Sequence, residues 1–245
     1  MTRQVRAELL KLSTARSSWV LVGVTVGLVL MITVLTLALD AELGTESDVR
    51  SVLSTAGASG LMLLILGIVF SAGEYRHGTI AWTLLVTPER LRVMAAQALA
   101  CAVAGAAIGA GIAALTAALA LPWLAANDAA TLSTGQVLGL FAGGALYTAL
   151  AAALGAGVGA LLRNQAAGIV VVLLTLFVID PVATALIDGY ERYSLSGLGS
   201  ALIGSTADEA GVDELPPFWL AALLWAGYTA VFVAGAALLT SRRDV

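Results

Sequence analysis

Six long apolar stretches constrain this chain more than any other feature of its sequence. They cover residues 19–39, 52–72, 93–121, 136–162, 166–179 and 218–240, and the fifth runs on if its helix continues past residue 180. A helix needs roughly 20 apolar residues to cross a bilayer. Hydrophobic residues make up 60% of the chain and charged residues 11%, which excludes a soluble domain. The sequence therefore predicts an all-α membrane protein with six transmembrane helices in a single domain, residues 1–245.

The basic residues predict the orientation of these spans. With the N-terminus inside, ten of the 12 lysines and arginines fall on the cytoplasmic side, as the positive-inside rule requires. The ten are Arg3, Arg6, Lys11, Arg16, Arg76, Arg90, Arg92, Arg163, Arg242 and Arg243, and only Arg50 and Arg192 fall outside. Both termini are therefore predicted to be cytoplasmic. Arginine outnumbers lysine eleven to one, which indicates a GC-rich bacterial genome and hence a bacterial plasma membrane.

Residues 1–16 are predicted to form a basic amphipathic helix in the membrane interface. Helical spacing places Val5, Leu9 and Leu12 on one face. The basic residues fall mostly off this face: Arg3, Arg6 and Lys11. A secretory signal is the alternative, but the apolar stretch that follows is long enough to span and lacks a small-residue cleavage site. We expect this helix to be retained.

The loop at residues 73–92, GEYRHGTIAWTLLVTPERLR, is the most patterned segment between two spans. Gly78 is expected to break the helix that leaves the second span, and Thr79 to cap a new one. Residues 80–86 then make about two helical turns, with Trp82 and Leu85 free to enter a partner's pocket. An interface anchor, with Trp82 among lipid headgroups, is the alternative, and the residues alone leave both open. Thr87 and Pro88 are expected to start the third span.

Small residues recur every four positions in several spans. The longest stripe is in the third span: Ala98, Ala102, Ala106, Ala110, Ala114 and Ala118. Glycines repeat in the same way in the first and fourth spans: Gly23 and Gly27, then Gly135, Gly139, Gly143, Gly155 and Gly159. Such stripes let helix backbones approach closely in lipid, although an alanine-rich composition also scatters them by chance. We expect a tightly packed bundle.

The segment at residues 180–217 is predicted to lie on the outer side, before the last span. Asp180 ends the fifth apolar stretch, where it either faces water or serves as a helix end, and Pro181 is expected to kink or stop that helix. Two apolar pieces, 182–187 and 195–203, predict two short re-entrant or surface helices; a solvated loop is the alternative. Four residues are candidates for an outer gate: Asp180, Pro181, Tyr190 and Tyr193.

The loop also carries a family resemblance. The run EYRHGT at 74–79, Leu84 and Leu85, and PER at 88–90 resemble the E-x-R-x-G-T, LL and P-x-R pattern of permease subunits of ABC-2 type exporters. The six spans, the N-terminal helix and the long segment before the last span are similar to that family along the whole chain. The resemblance implies a coupling helix that contacts an ATPase subunit through Glu74, Arg76, His77, Gly78, Thr79, Trp82, Leu84, Leu85, Pro88 and Arg90. It also implies an interfacial helix that carries Arg3, Arg6, Leu9 and Lys11.

Energy for such a permease has to come from another chain. A phosphate-binding P-loop needs Gly-Lys-Ser/Thr, and the only lysine, Lys11, lies between leucines. We therefore expect no enzymatic activity and no cofactor on this chain, with ATP and Mg²⁺ on a partner ATPase subunit. A second permease subunit, identical or different, and the lipid bilayer are the other expected partners; nucleic acid is not. The expected cargo is lipophilic or amphipathic, such as a drug, peptide or lipid.

Two other functions are compatible with parts of the sequence. The chain could be a structural or non-ATP-driven membrane subunit, although the apolar stretches lack the central charges that ion-coupled carriers use. It also carries Gly-Ala-Ser-Gly at 57–60, which matches the nucleophile motif of rhomboid-like intramembrane serine proteases. Ser59 and His77 are 18 residues apart on one span, or ~27 Å at helical rise, whereas a nucleophile and its base must meet within ~3 Å.

Overall fold

The computed structural model describes residues 1–39, 45–87, 89–127, 129–210 and 214–242, and in these ranges it is helical with no strand. Six helices are long and apolar enough to cross a membrane. These spans are Arg16–Leu39, Glu46–Arg76, Arg90–Ala126, Thr134–Leu162, Gln165–Leu186 and Phe218–Leu239, the last within a helix that ends at Arg242. The prediction of an all-helical, multi-pass membrane protein is confirmed.

The shorter helices lie at the two ends of the spans. Thr2–Thr14 forms the N-terminal helix, and Thr79–Val86, which we call the loop helix, connects the second and third spans. The described residues before the last span form Tyr190–Arg192, Leu195–Ile203 and Ala207–Ala210. We call the end with the N-terminal helix and the loop helix the N-terminal end of the bundle, and the other the opposite end. Which end faces the cytoplasm stays a prediction.

The second span is built from three pieces. A helix at Glu46–Ser54 begins with a capping box, in which Thr45 and Asp48 bond to each other's backbone N–H groups. A 3₁₀ turn, Thr55–Ala58, then leads into the helix Ser59–Arg76. The predicted span, 52–72, therefore lies inside a longer helical segment.

Glycines bring the second, third and fourth spans into backbone contact. A Cβ added at Gly155 would lie 2.0 Å from the carbonyl oxygen of Leu64, and one at Gly67 would lie 2.1 Å from that of Ala152. Gly105 of the third span meets the Thr148 carbonyl in the same way, at 2.5 Å. Side chains do not fit between these helices, so the close approach depends on glycine.

The small-residue stripes form contact surfaces in only part of their length. Gly155 and Gly159 pack against the second span, whereas Gly23 and Gly27 have open space around them. The alanine stripe of the third span starts buried at Ala98 and turns outward, because four residues exceed one helical turn. The buried face instead follows a mixed series of residues: Cys101, Gly105, Gly109, Ala113, Thr116 and Ala120.

The structure decides between two predictions at Pro181 and corrects the predicted start of the third span. Pro181 does not stop the fifth span, which runs on past residue 180 to Leu186 after a π-helical turn at Thr175–Ile179. A π turn directly before the proline shifts the hydrogen-bond register at the point where the proline lacks an N–H. The third span starts at Arg90 with Glu89 as its N-cap, so Thr87 ends the loop helix instead of capping the next one. Pro88 lies outside the described residues.

Candidate coupling surface

A glycine turn sets the direction of the loop helix. The second span ends at Arg76, and the chain passes through His77 and Gly78 into Thr79–Val86. Gly78 has a φ of +68°, in the left-handed region that other residues adopt only with strain. Thr79 does not cap the new helix as predicted, because its hydroxyl donates to the carbonyl of Glu74 at 3.3 Å. This backward bond ties the start of the loop helix to the end of the second span.

The inner side of the loop helix is part of the bundle core. Ile80 is 2% exposed, and Leu84, one turn later, is half-buried beside it. Their buried partners come from the third, fourth and sixth spans: Val93, Met94, Ala160, Ala236 and Ala237. Tyr75 completes this contact and carries the guanidinium of Arg163 4.9 Å from its ring centroid. The loop helix thereby joins a core cluster that includes residues of the third, fourth and sixth spans.

The outer side of the same helix is apolar and uncovered. Trp82, Leu85 and Val86 are 74%, 76% and 86% exposed, and we call these three residues the apolar patch. Exposed apolar residues on the spans would face lipid, whereas these three residues lie on a connection between two spans. A large aromatic and two aliphatic side chains grouped on a short, anchored helix mark a site of contact with another protein or with the membrane interface. Of the residues implied by the resemblance, Trp82 and Leu85 are outward and Leu84 is inward.

A buried polar cluster lies beneath the loop helix and joins four elements. Lys11 of the N-terminal helix donates to Glu8 at 2.7 Å and to Glu74 of the second span at 2.6 Å. It also donates to the hydroxyl of Thr83 on the loop helix at 3.4 Å. The amide of Gln97, on the third span, donates to Glu74. Lys11 is therefore not a free interfacial cation but the central link of this cluster.

The cluster holds two carboxylates and one ammonium. Glu8 and Glu74 are 4% and 5% exposed, and Glu8 Oε2 has no hydrogen-bond partner among the described residues. Burial and the charge of Glu74 raise the pKa of Glu8, although Lys11 opposes them. Burial acts to lower the pKa of Lys11, but its hydrogen bonds to Glu74 and Glu8 outweigh burial and leave that pKa raised. With both carboxyls ionised, the cluster would carry one more negative than positive charge.

The remaining residues of the predicted coupling region and interfacial helix are not gathered at one site. Arg76 and His77 are exposed and line a cavity on the other side of Lys11. Arg3 and Arg6 are exposed, whereas Leu9 is half-buried. Arg90 is half-buried at the start of the third span.

At the opposite end, Asp180 is buried. Of the two predicted roles, exposure to water is therefore wrong, and a structural role near the end of the helix remains. Its carboxylate accepts from the Tyr190 hydroxyl at 3.1 Å and from the N–H and hydroxyl of Ser196 at 3.1 and 3.0 Å. Burial and the Asp180 charge raise the pKa of Tyr190. The carbonyl of Tyr193 accepts from the hydroxyl of Tyr228 at 3.0 Å. Asp180 therefore fastens the segment before the last span to the end of the fifth.

The geometry of Ser59 does not suit a nucleophile. It is buried in the first turn of the helix Ser59–Arg76, and its hydroxyl donates to the carbonyl of Ala56 at 2.6 Å. His77 caps the far end of that helix. Within one chain, the two side chains are therefore separated by the full length of the helix.

Sequence reasoning missed Glu8 and Gln97 as members of the cluster. Glu8 was overlooked because only the apolar and basic positions of the N-terminal helix were considered, although it is three residues before Lys11. Gln97 is the one amide inside the third span, where alanine dominates, and a lone amide in a span usually has a partner. Both signals were present in the sequence, but their shared partner, Glu74, is not visible without the fold.

Metal binding is not indicated in the part of the chain that the structure describes, where no three His, Cys, Asp or Glu side chains group to hold an ion. No protein-family model matches this chain, and no curated protein matches it either.

Proposed function

We propose that this chain is the membrane permease subunit of an ATP-driven exporter in a bacterial plasma membrane, with both termini in the cytoplasm. In this proposal, a separate ATPase subunit docks on the loop helix and drives the spans. The observation that carries it is the two-sided loop helix, which is packed into the bundle on one side and presents Trp82, Leu85 and Val86 on the other.

Docking would stabilise the apolar patch. Apolar surface removed from water contributes about 25 cal/mol per Å², and a fully covered aromatic or leucine side chain contributes roughly 1.5–3 kcal/mol. Trp82 and Leu85 are both more than 70% exposed, so most of this gain is still to be made when a partner covers them. A groove on the ATPase subunit that receives these two side chains is the expected counterpart.

The attachment of the loop helix supplies a route for mechanical work. Ile80 belongs to a core cluster with residues of the third, fourth and sixth spans, and Lys11 links Thr83 to the second span and the N-terminal helix. Packed interiors have low compressibility, so a displacement of the loop helix moves its neighbours and does not dissipate locally. We propose that ATP-driven closure of the partner subunits shifts this unit and opens the opposite end.

In this proposal the chain supplies the membrane spans, and the partner subunit supplies the energy. ATP and Mg²⁺ belong to the partner, because Lys11, which a P-loop would need, is used in the buried cluster. Two permease subunits, identical or different, work with two ATPase subunits. The cargo is lipophilic or amphipathic, and it leaves near the segment that Asp180 fastens to the fifth span.

Co-purification from native membranes tests the proposal. The tagged chain should retain a subunit that hydrolyses ATP, and Trp82→Glu or Leu85→Glu should remove both the subunit and the activity. Leu85→Met should retain them, and so should Ser13→Glu, which adds the same charge to an exposed position of the N-terminal helix. A chain that never carries ATP hydrolysis would instead support a structural membrane subunit.

A further inference from the structure

A second site lies beside the buried cluster, in a cavity of about 660 Å³ between the N-terminal helix and the first, second and fifth spans. This volume is in the range of small-molecule sites, which is about 300–1,000 Å³. The cavity is separate from the apolar patch, since none of Trp82, Leu85 and Val86 lines it.

The lining changes from polar to apolar along the membrane normal. Arg76 and His77, at the end of the second span, line the part of the cavity nearest the N-terminal end of the bundle. Phe70, Val69 and Leu66 line the part of the cavity that lies deeper along the span. Leu66 and Arg76 are ten residues apart on one helix, which is ~15 Å at helical rise. A cavity that is polar at the end of the spans and apolar one to three turns inward matches the headgroup and upper chain of a lipid.

The charge at the polar end favours an anion. Lys11 and Glu74 both line the cavity and neutralise each other, whereas Glu8, the other partner of Lys11, does not line it. Arg76 therefore sets the net charge, and the side chains of Arg76 and His77 form no hydrogen bond or ion pair with any residue that the structure describes. The N-terminus of the first span, a helix of 24 residues, adds the positive end of its dipole at Ser17 and Ser18.

Hydrogen-bond donors are also free at this end. Within the described residues, the hydroxyls of Ser17 and Ser18 have no partner, and they line the cavity on the side of the first span. Serine hydroxyls, a guanidinium and a helix N-terminus are the donors that bind phosphate oxygens. Gln165 is not one of these free donors, because its amide donates to the carbonyl of Val69 at 3.1 Å.

We infer that this cavity binds an anionic phospholipid from the leaflet at the N-terminal end of the bundle. The phosphate lies among Arg76, Ser17 and Ser18, and the start of an acyl chain lies along Phe70 and Val69. This inference goes beyond the proposed function, because it concerns the chain alone and requires neither ATP nor a partner subunit.

Short-chain lipids added to the delipidated full chain test the inference. Native mass spectrometry should show dioctanoyl phosphatidylglycerol bound about fivefold more tightly than dioctanoyl phosphatidylcholine, the effect of one basic residue near a charged lipid. Arg76→Gln should abolish this difference. Arg16→Gln, which removes a charge at the same end but outside the cavity lining, should leave it intact.

A cavity-filling variant separates the site from general charge attraction. Ser18→Phe keeps every charge but fills the polar end, so it should weaken phosphatidylglycerol binding while melting temperature and elution remain unchanged. Equal binding of the two lipids, no effect of Ser18→Phe, or an equal effect of Arg16→Gln and Arg76→Gln would overturn the inference. Competition by millimolar inorganic phosphate would also overturn it, because the site would then belong to a free anion.

Discussion

The two ends of the bundle both bury carboxylates, but they do so differently. At the opposite end, Asp180 accepts three hydrogen bonds from Tyr190 and Ser196, and all of its donors are neutral. At the N-terminal end, Glu8 and Glu74 share one ammonium, and one oxygen of Glu8 has no partner in the described part of the chain. The carboxylate of Asp180 therefore has its hydrogen-bond donors within the chain.

The difference extends to the surfaces. The N-terminal end combines an unbalanced polar cluster with an uncovered apolar patch on a helix that is held in place by several spans. Buried polar groups without partners and exposed apolar groups both cost free energy, and both are relieved by contact with another molecule. This difference is what we would expect if a partner completes the N-terminal end, as proposed above, whereas Asp180 is satisfied within the fold.

The largest effect is expected from removing the central ammonium. Lys11→Met leaves two buried carboxylates without a counter-charge and should cost about 3 kcal/mol, the lower part of the range for broken buried pairs because Lys11 is partly exposed. Arg192→Met breaks an exposed ion pair with Glu214 at the opposite end and should cost less than about 1 kcal/mol. Unfolding in a mild detergent, titrated with denaturant, measures both. Equal costs would contradict the comparison.

A smaller effect is expected at Asp180. Asp180→Asn replaces an acceptor oxygen with an amide donor that faces Tyr190 or Ser196, so it should cost about 1–2 kcal/mol. Asp188→Asn, at an exposed position nearby, should be nearly neutral. If Asp180 serves only the fold, the folded fraction of Asp180→Asn will still carry its ATPase partner in full. A variant of normal stability that loses the partner would move Asp180 into the coupling machinery.

The turn before the loop helix should be sensitive to a single methyl group. Gly78→Ala places a side chain at φ +68° and should cost about 1 kcal/mol. The matched control is Gly23→Ala, where an added Cβ has open space and ordinary helical geometry. Melting temperatures of the two variants provide the test, and a neutral Gly78→Ala would show that the turn does not set the direction of the loop helix.

The weakest effect is a pH dependence of the cluster. Because the pKa of Glu8 is raised in the folded state, its contribution to stability is greatest below the unfolded value of about 4.3 and declines as the pH rises through the folded value. Relative to the native chain, Glu8→Gln should therefore become more stable as the pH increases from about 4 to 8. A Glu8→Gln difference that stays flat over this pH range would contradict the shared-charge cluster.

The fold was predictable largely because bilayer physics leaves few options. Long apolar stretches gave the six helices, and the glycine and the apolar run of residues 78–86 gave the loop helix close to its observed bounds. The sequence left a stop and a continued helix at Pro181 both open, since the π turn before the proline is not visible in it. Nor could the alanine pattern identify the buried face of the third span, because small residues occur on both its sides.

Of the candidate site, only the exposed residues of the loop helix were predictable from the sequence. Trp82 and Leu85 could be proposed as a contact surface from one loop, as local helical spacing decides which residues project together. The cluster beneath them joins Lys11, Glu74 and Gln97 from three distant parts of the sequence. Such a contact depends on how the spans pack, so sequence reasoning treated Lys11 as one more interfacial cation.

The central claim is that the apolar patch faces the cytoplasm and is covered by an ATPase subunit. Leu85→Cys tests it directly with a membrane-impermeant thiol reagent, because the native Cys101 is fully buried. We expect labelling in inside-out vesicles stripped of the ATPase subunit, at least about tenfold less labelling when that subunit is bound, and none from outside intact cells. Labelling from the outside, or equal labelling with and without the subunit, would contradict it.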